Sequence, residues 1–513
     1  MLLARAGTLS NRMLTTDEPA YLLQADRLRS VEAFVYAFAY RSETKTQVGL
    51  IPYLIADLLD ARNGIFLARV AVLLALIATG CGLVAITQRF LDSPWPGLAA
   101  SGIVALYGVT GSGYFTQPNV LGEFFLGAKL EYFQTPFIVA GIYALAAASM
   151  EDQTARRRGW LAVATGAAWA VAVLIKPGAV LLGPLYVLLG AKRLPRQPTW
   201  RAWAARLLPS STAFALGVAG PVALVFVPYL FKPTAAAELR FNLIDLNASY
   251  GVVRQQPLWI HGAAMLLGLP GLLLLLYVLA PLLARRRLGS QLPPGAGRLL
   301  TLTTLAAPLV FCGYLPGQGL LHYLIPVVPL AALSGCGYLY FVLRDLAARQ
   351  GTRRAVFIAG ALAAVYLAAQ LPALVAYPGV AGSDYYLNND RRHFDLDRLV
   401  AFIQTHSAPG SKLWVYYDTP ELNWLTERHA ATRDPQADWL TFVGGEPWFS
   451  RTVADLAAEK PALIIGIDQP NLVFPTDQPP PLLQVPLVGA FVQQNYHCAR
   501  TLIRGATICT LGP

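Results

Sequence analysis

Long apolar runs separated by short polar links dominate the first three quarters of this chain. The runs cover residues 64–87, 97–113, 133–150, 160–175, 179–190, 207–231, 259–283, 299–315, 321–343 and 355–376. A helix needs about 20 predominantly apolar residues to cross the hydrocarbon core of a bilayer, within a range of roughly 17–25. Most of the runs reach that range. The two that flank Lys176-Pro177-Gly178 are shorter, and the proline and glycine between them predict a break in the helix. Two short spans meeting at the outer surface are expected there. One run per span gives about 10–11 transmembrane helices, a polytopic α-helical membrane protein.

Beyond residue 377 the periodicity changes. Residues 399–406 and 453–460 carry helical spacing, whereas 412–418 (KLWVYYD) and 462–468 (ALIIGID) read as strands. Alternating helix and strand predicts a small layered α/β domain. Three regions follow: an outer first loop over 1–63, a transmembrane domain over 64–376, and a soluble extracytoplasmic α/β domain over 377–513.

Composition agrees with lipid as the solvent. The chain has 513 residues, of which 55% are hydrophobic and 13% charged, with a mean hydropathy of +0.47. An ordinary soluble domain carries about 25% charged residues. The net charge of +11 does not imply nucleic acid as a partner. The basic residues sit in the links between apolar runs, at Arg156-Arg157-Arg158, Lys192-Arg193, Arg285-Arg286-Arg287 and Arg353-Arg354. A nucleic-acid binder gathers them on one soluble face. Basic links mark the cytoplasmic side. Alternation then places 1–63, 114–132, 176–178, 232–258, 316–320 and everything after 377 on the outer side. No apolar span and no signal-peptide core precede residues 1–63, so a first span upstream of Met1 is expected. Cys81, Cys312 and Cys336 lie in apolar runs. Cys498 and Cys509 lie in the outer tail, where a disulfide can form.

Ionisable residues at the outer ends of spans are the candidates for chemistry, because such groups are costly near lipid unless paired or functional. Asp17-Glu18 stands at a predicted helix start, with Thr16 or Asp17 as cap and Pro19 in the first turn. Capping is the ordinary use of such acids, and general-base catalysis is the chemical one. Lys45 and Lys176 either snorkel at the interface or neutralise a lipid phosphate. Glu131, in Lys129-Leu130-Glu131-Tyr132-Phe133, opens a span. His322-Tyr323 opens a later one and can complete a phosphate-binding cluster with the two lysines. Asp17, Glu18 and Glu131 could share a divalent cation, although no ligand spacing demands one. The chain has no Gly-x-Ser-x-Gly, His-Glu-x-x-His, Walker lysine loop or Cys-x-x-Cys. The missing phosphate loop argues against an ATP-driven machine, and the few ionisable residues within the spans argue against an ion-coupled transporter.

These motifs, in this order, resemble those of the membrane-embedded C-type (GT-C) glycosyltransferases, in particular the bacterial relatives of the protein O-mannosyltransferases and of the lipid A aminoarabinose transferase. Asp17-Glu18-Pro19-Ala20-Tyr21 resembles the Asp-Glu-x-x-Tyr of their first outer loop. Lys45-Thr46-Gln47-Val48 stands where many members have Lys-Pro-Pro-Leu. Leu130-Glu131-Tyr132-Phe133 resembles the Asn-x-Glu-x-Phe of the second outer loop, and His322-Tyr323-Leu324-Ile325-Pro326 a His-Tyr…Pro stretch that opens a late span. In the tail, 402–403, 409–415 and 427–433 resemble the outer domain of uncharacterised members. The departures are the Thr-Gln after Lys45 and the Lys129-Leu130 lead before Glu131.

The resemblance implies a bacterial cytoplasmic-membrane enzyme with its active site outside the cytoplasm. It would move a sugar, with inversion, from a polyprenyl-phosphate donor to a lipid, glycan or protein acceptor. It makes Asp17 the catalytic base, Glu18 its support, and Glu131 part of the acceptor site. Lys45, Lys176, His322 and Tyr323 become donor-phosphate ligands. The competing readings are a lipid-linked sugar transporter or flippase, and a membrane-anchored binding protein.

Overall fold

The computed structural model describes residues 17–40, 46–60, 63–110, 128–150, 153–185, 200–245, 271–288, 292–315, 321–382, 396–416, 420–434, 445–467, 480–500 and 506–512. The chain divides into two compact units. One takes in Arg69–Val227 and Gln256–Ala381, the other Asn11–Ala68, Pro228–Gln255 and Gly382–Pro513.

The first unit is a helical bundle. Its helices are α1 (Gly64–Leu91, which begins in the other unit), α2 (Trp95–Thr110), α3 (Leu130–Ala148), α4 (Ala155–Ile175), α5 (Trp200–Phe226), α6 (Gly271–Leu288), α7 (Pro294–Tyr314), α8 (Val327–Gln350) and α9 (Thr352–Gly382). Among the described residues, six helices are long and apolar enough to cross a membrane: Gly64–Leu91, Ala155–Ile175, Ser211–Phe231, Pro294–Tyr314, Val327–Gln350 and Thr352–Leu371. The chain is a multi-pass membrane protein. α2 is apolar but shorter. α3 has Glu131 in its first turn, and α6 ends in Arg285-Arg286-Arg287. The basic end of α6 suits the negative pole of its helix dipole.

Burial separates the centre of the bundle from its rim. α8 packs against α2, α6 and α7, and 67% of its apolar window is buried, against 11% for α9 and 17% for the span Ser211–Phe231. Exposed Leu216, Leu224, Phe357 and Val365 on the rim suit a lipid solvent, which is as apolar as they are. Because lipid gives no hydrophobic drive between helices, association rests on close packing and interhelical hydrogen bonds. Thr304 of α7 and Ser334 of α8 share one such bond at 2.7 Å. α4 and α5 cross through glycine: a Cβ on Gly166 would fall on the Phe214 carbonyl, and one on Gly217 on the Val163 carbonyl.

The second unit is α/β. Its sheet has the order β2-β1-β3-β5-β4, formed by β1 (Lys412–Tyr416), β2 (His429–Ala430), β3 (Leu463–Ile467), β4 (Tyr496–Arg500) and β5 (Ala506–Leu511). β1 is parallel to β2 and β3, and β5 is antiparallel to β3 and β4. Alternation along β1 sorts the core. Leu413 and Val415 face helix Leu396–His406 through Leu399 and Ile403. Trp414 and Tyr416 face helices Gly445–Glu459 and Val488–Asn495 through Trp448, Leu456, Val488 and Val492.

One helix differs in extent from its sequence expectation, and one hairpin was not expected. The helix expected at 453–460 begins at Gly445, where Trp448 buries itself on the sheet. The β4–β5 hairpin was not legible, because β4 mixes His497 and Arg500 with few apolar positions. Cys498 and Cys509 lie directly opposite each other across that hairpin and form a disulfide.

Residues 11–68 and 228–255 belong to this unit as well. Phe241, in the π-helical turn Phe241–Asp245, joins the core with Trp414 and Trp448. Arg451 stacks 3.6 Å above the Phe241 ring. Glu238 pairs with Arg451 and Arg433 at 3.1 and 3.5 Å, and Arg433 pairs with Asp455 at 2.9 Å.

The glycine crossing yields a paired prediction. Gly166→Ala or Gly217→Ala puts a Cβ onto a backbone carbonyl and should cost about 1–3 kcal/mol, the usual range for overpacking. Gly159→Ala and Gly220→Ala, in the same two helices but with nothing within 4 Å, should be neutral. Thermal unfolding of the detergent-solubilised protein checks the contrast, and equal melting temperatures for all four variants would contradict the crossing.

Candidate active site

The geometry in the first unit follows from one proline. Pro177 disfavours helical geometry at Lys176, and Lys176 is extended at φ −156°, ψ 131° as the C-cap of α4. A 3-10 turn, Pro177–Leu182, follows. The Lys176 N–H still donates to the Ala172 carbonyl at 3.0 Å, the last backbone bond of α4. Gln134, fully buried on α3, donates its amide to two carbonyls at this end of α4: Ala172 at 2.8 Å and Lys176 at 2.6 Å. The Tyr314 hydroxyl at the end of α7 donates to the Gln134 amide oxygen and so fixes which way the amide points. Gly178 makes the close approach of α7 possible, since a Cβ there would strike the Tyr314 ring and one on Gly313 would strike the Gly178 carbonyl.

The charged pair sits on this frame. Glu131 lies three residues before Gln134 on α3, hence on the same helix face. Its carboxylate accepts a hydrogen bond from the Lys176 ammonium. Glu131 is 1% exposed and the Lys176 side chain 12%. The ammonium also lies 4.2 Å from the centre of the Tyr323 ring, a cation–π contact. Tyr323 in turn stacks on Tyr314 with centroids 5.2 Å apart and planes 23° apart. Of the sequence-predicted residues, the structure brings together Glu131, Lys176 and Tyr323. Gln134 and Tyr314 were missed. A polar amide one turn into an apolar run was the available signal for Gln134; nothing local marked Tyr314.

The other candidates lie in the second unit or outside what is described. Asp17 is the first residue of helix Asp17–Asp26, but its side chain is outside the described residues. Glu18, in the first turn, is fully buried and engaged. Lys45 is outside the described residues. It immediately precedes Thr46, the N-cap of helix Gln47–Leu59. His322 belongs to the 3-10 turn Leu321–Leu324, with its side chain outside the described residues. Among the described residues, no group of three or more His, Cys, Asp or Glu side chains is placed to hold a metal ion.

Helices Asp17–Asp26 and Gln47–Leu59 pack together. Tyr21 meets Tyr53 edge-on at 5.1 Å, and Arg29 bridges Asp26 and Asp57 at 2.8 Å each. The C-terminal halves are therefore side by side, and the first turns, with Glu18 and Gln47, face the same end. Helix Asp17–Asp26 is also tied to the sheet. The His429 ring pairs with Asp26 at 2.7 Å, and Arg27 donates to the Ala430 carbonyl at 2.6 Å. Burial raises the Asp26 pKa, but the His429 hydrogen bond and the charges of His429, Arg29 and Lys412 outweigh it. The carboxyl ends below its ordinary 3.8. Burial pushes the Asp57 carboxyl the other way, above 3.8, against the pull of Arg29.

No family model matches the sequence, and no curated protein matches it. Solved structures do match. ArnT from Cupriavidus metallidurans bound to undecaprenyl phosphate superposes with a TM-score of 0.57 at 15% identity, covering 100% of this chain and 97% of that one. The apo state of the same protein gives 0.55 at 14% identity with the same coverage.

Two predictions follow from the site. Glu131→Gln or Lys176→Met leaves one buried charge without its partner, a loss of about 3–5 kcal/mol. The double variant should recover most of it, as thermal melts will show; additive losses would contradict a direct pair. The second concerns pH. A carboxyl whose folded pKa lies below 3.8 stabilises the fold fully above that pH and loses this contribution as pH falls through the folded value. Asp26→Asn should therefore lower stability at neutral pH and flatten the wild-type decline below pH 3.8. Parallel declines in both proteins would contradict it. The chain shares the polytopic membrane fold of ArnT over its whole length.

Proposed function

We propose that the protein is an integral-membrane glycosyltransferase that moves a sugar from a polyprenyl-phosphate donor to a hydroxyl acceptor outside the cytoplasm. The observation that carries the reading is the Glu131–Lys176 pair on its Gln134–Tyr314 frame, in a fold shared with an ArnT bound to undecaprenyl phosphate. A buried ion pair at the end of a span is costly and is weak as a stabilising device. A lysine held in one place by a carboxylate, an aromatic face and the end of a helix is a preorganised anion ligand, which is what a leaving phosphate needs.

In this reading Asp17 takes the proton of the acceptor hydroxyl. The acceptor oxygen forms a bond to the anomeric carbon, the bond from that carbon to the phosphate oxygen breaks, and the sugar inverts. Polyprenyl phosphate leaves with the bonding electrons, neutralised by Lys176, Lys45 and His322, while Tyr323 positions Lys176. Glu18 supports Asp17, and Glu131 serves the acceptor site as well as holding Lys176. The shared direction of helices Asp17–Asp26 and Gln47–Leu59 supports the role of Lys45, since it gathers two positive helix poles at the end where that lysine enters. The Cys498–Cys509 disulfide supports an oxidising, extracytoplasmic setting for the second unit. A bacterial inner membrane is the setting we infer.

Transfer from radiolabelled polyprenyl-phosphate sugars to an envelope extract, in nanodiscs, tests the reading. Asp17→Asn should lower turnover about 10²–10⁴-fold, the usual contribution of a general base, with the melting temperature unchanged. No transfer by wild type from any donor would overturn the enzyme reading in favour of transport or anchoring.

A further inference from the structure

Helices Asp17–Asp26 and Gln47–Leu59 each bury an amide that the described residues do not satisfy. Gln24 is fully buried, and neither its Oε1 nor its Nε2 has a hydrogen-bond partner among the described residues. Gln47 is 3% exposed, and its Oε1 is buried in the same condition. A buried acceptor without a donor is destabilising, and native proteins keep few of them. Leucine would fill such a position without the penalty. An amide is accounted for by a donor that comes from outside the chain, either a water or a ligand.

The two amides differ in where they sit. The helices run side by side in the same direction, with Tyr53 against Tyr21 and Asp57 joined to Asp26 through Arg29. Gln47 falls on the same side of its helix as Leu50 and Asp57. Counting back along both helices from Tyr53 and Tyr21 brings Gln47 level with the start of the other helix, which Asp17 opens. Gln24 lies two turns further along, about 10 Å from that end. Gln47 also follows Lys45 by two residues, and it stands where the motif that this stretch resembles, Lys-Pro-Pro-Leu, has its second proline. Proline at the first helical position is preorganised for a helix, and its side chain carries no acceptor. This chain has an amide there instead.

We propose that Gln47 determines specificity for the donor by accepting, at Oε1, a hydrogen bond from a hydroxyl group of the sugar. The proposal rests on the transferase reading and adds a sugar contact to it. In that reading Lys45 holds the donor phosphate, and the anomeric carbon is bonded directly to a phosphate oxygen, so a residue beside that lysine meets the sugar ring. An acceptor withdrawn from water has nothing to replace a missing hydroxyl, so the site rejects a deoxy sugar strongly. The substrate class is a polyprenyl phosphate whose sugar keeps that hydroxyl free.

Native mass spectrometry of the full-length protein tests this without turnover. The probes are polyprenyl phosphate, its mannose, glucose and galactose conjugates, and the monodeoxy analogues of the conjugate that binds best. Wild type should retain one conjugate about tenfold or more better than the bare lipid, and one monodeoxy analogue should lose that margin. Gln47→Leu should hold the bare lipid as wild type does, but hold the conjugate and that analogue within about threefold of each other. Gln47→Met, which keeps the side-chain length, should match it and guards against a leucine variant that fails to fold. Gln24→Leu should keep the wild-type margin. No margin for any sugar in wild type, or a full margin in both Gln47 variants, overturns the proposal. A full margin with a higher melting temperature would assign the amide to a structural water. A full margin with a raised KM for the envelope acceptor would move the hydroxyl to the acceptor, which also overturns it. Failure of the transferase reading shows separately, as absence of transfer by wild type.

Discussion

The interruption of α4 at Lys176-Pro177 is the constraint on which the site depends. A proline disfavours helical geometry in the residue before it; Lys176 is extended, and its own carbonyl is satisfied by a side chain. Gln134 supplies the donor, and in doing so joins α3 to the end of α4. Tyr314 orients the amide and brings in α7. On this frame the side chain of Lys176 reaches across to Glu131 and under Tyr323. A backbone requirement thus becomes a placed charge. In lipid the alternative, a carbonyl or a charge left without a partner, costs several kcal/mol.

The second unit solves a different problem. Its sheet buries both faces, one under helix Leu396–His406 and the other under helices Gly445–Glu459 and Val488–Asn495. Segments from earlier in the chain are held to it by named contacts: Asp26 with His429 and Arg27 with Ala430 for the first, Glu238 with Arg433 and Arg451 for the middle one. The loop that carries Asp17 and Glu18 is therefore a structured part of a folded unit.

Much of the fold was legible because lipid imposes a long, plain signal. Apolar runs separated by basic links gave the polytopic helical class, and the Pro177 break stood in the sequence. Strands β1 and β3 were legible as KLWVYYD and ALIIGID, since each is rich in β-branched and aromatic residues. β4 and β5 were not, because β4 carries charge and derives its position from pairing with β5. At the site, Glu131, Lys176 and Tyr323 stood out as polar or aromatic residues at span ends. Gln134 and Tyr314 did not, because their partners lie on other helices and meet them only once α3, α4 and α7 pack together. The helices Val31–Val35 and Gln47–Leu59 were also hidden, since the polar residues between them made 1–63 read as a loop.

The central claim is that Lys176 is placed to hold a lipid phosphate. Native mass spectrometry of the protein with added polyprenyl phosphate measures this directly, comparing wild type with the Glu131→Gln/Lys176→Met pair, in which the buried charges are removed together. The account predicts a retained polyprenyl-phosphate adduct on the wild type and at least a tenfold weaker one on the double variant, about 1.4 kcal/mol of lost affinity. Equal retention by two equally folded proteins would contradict it, and Lys176 would then be part of a structural clamp alone.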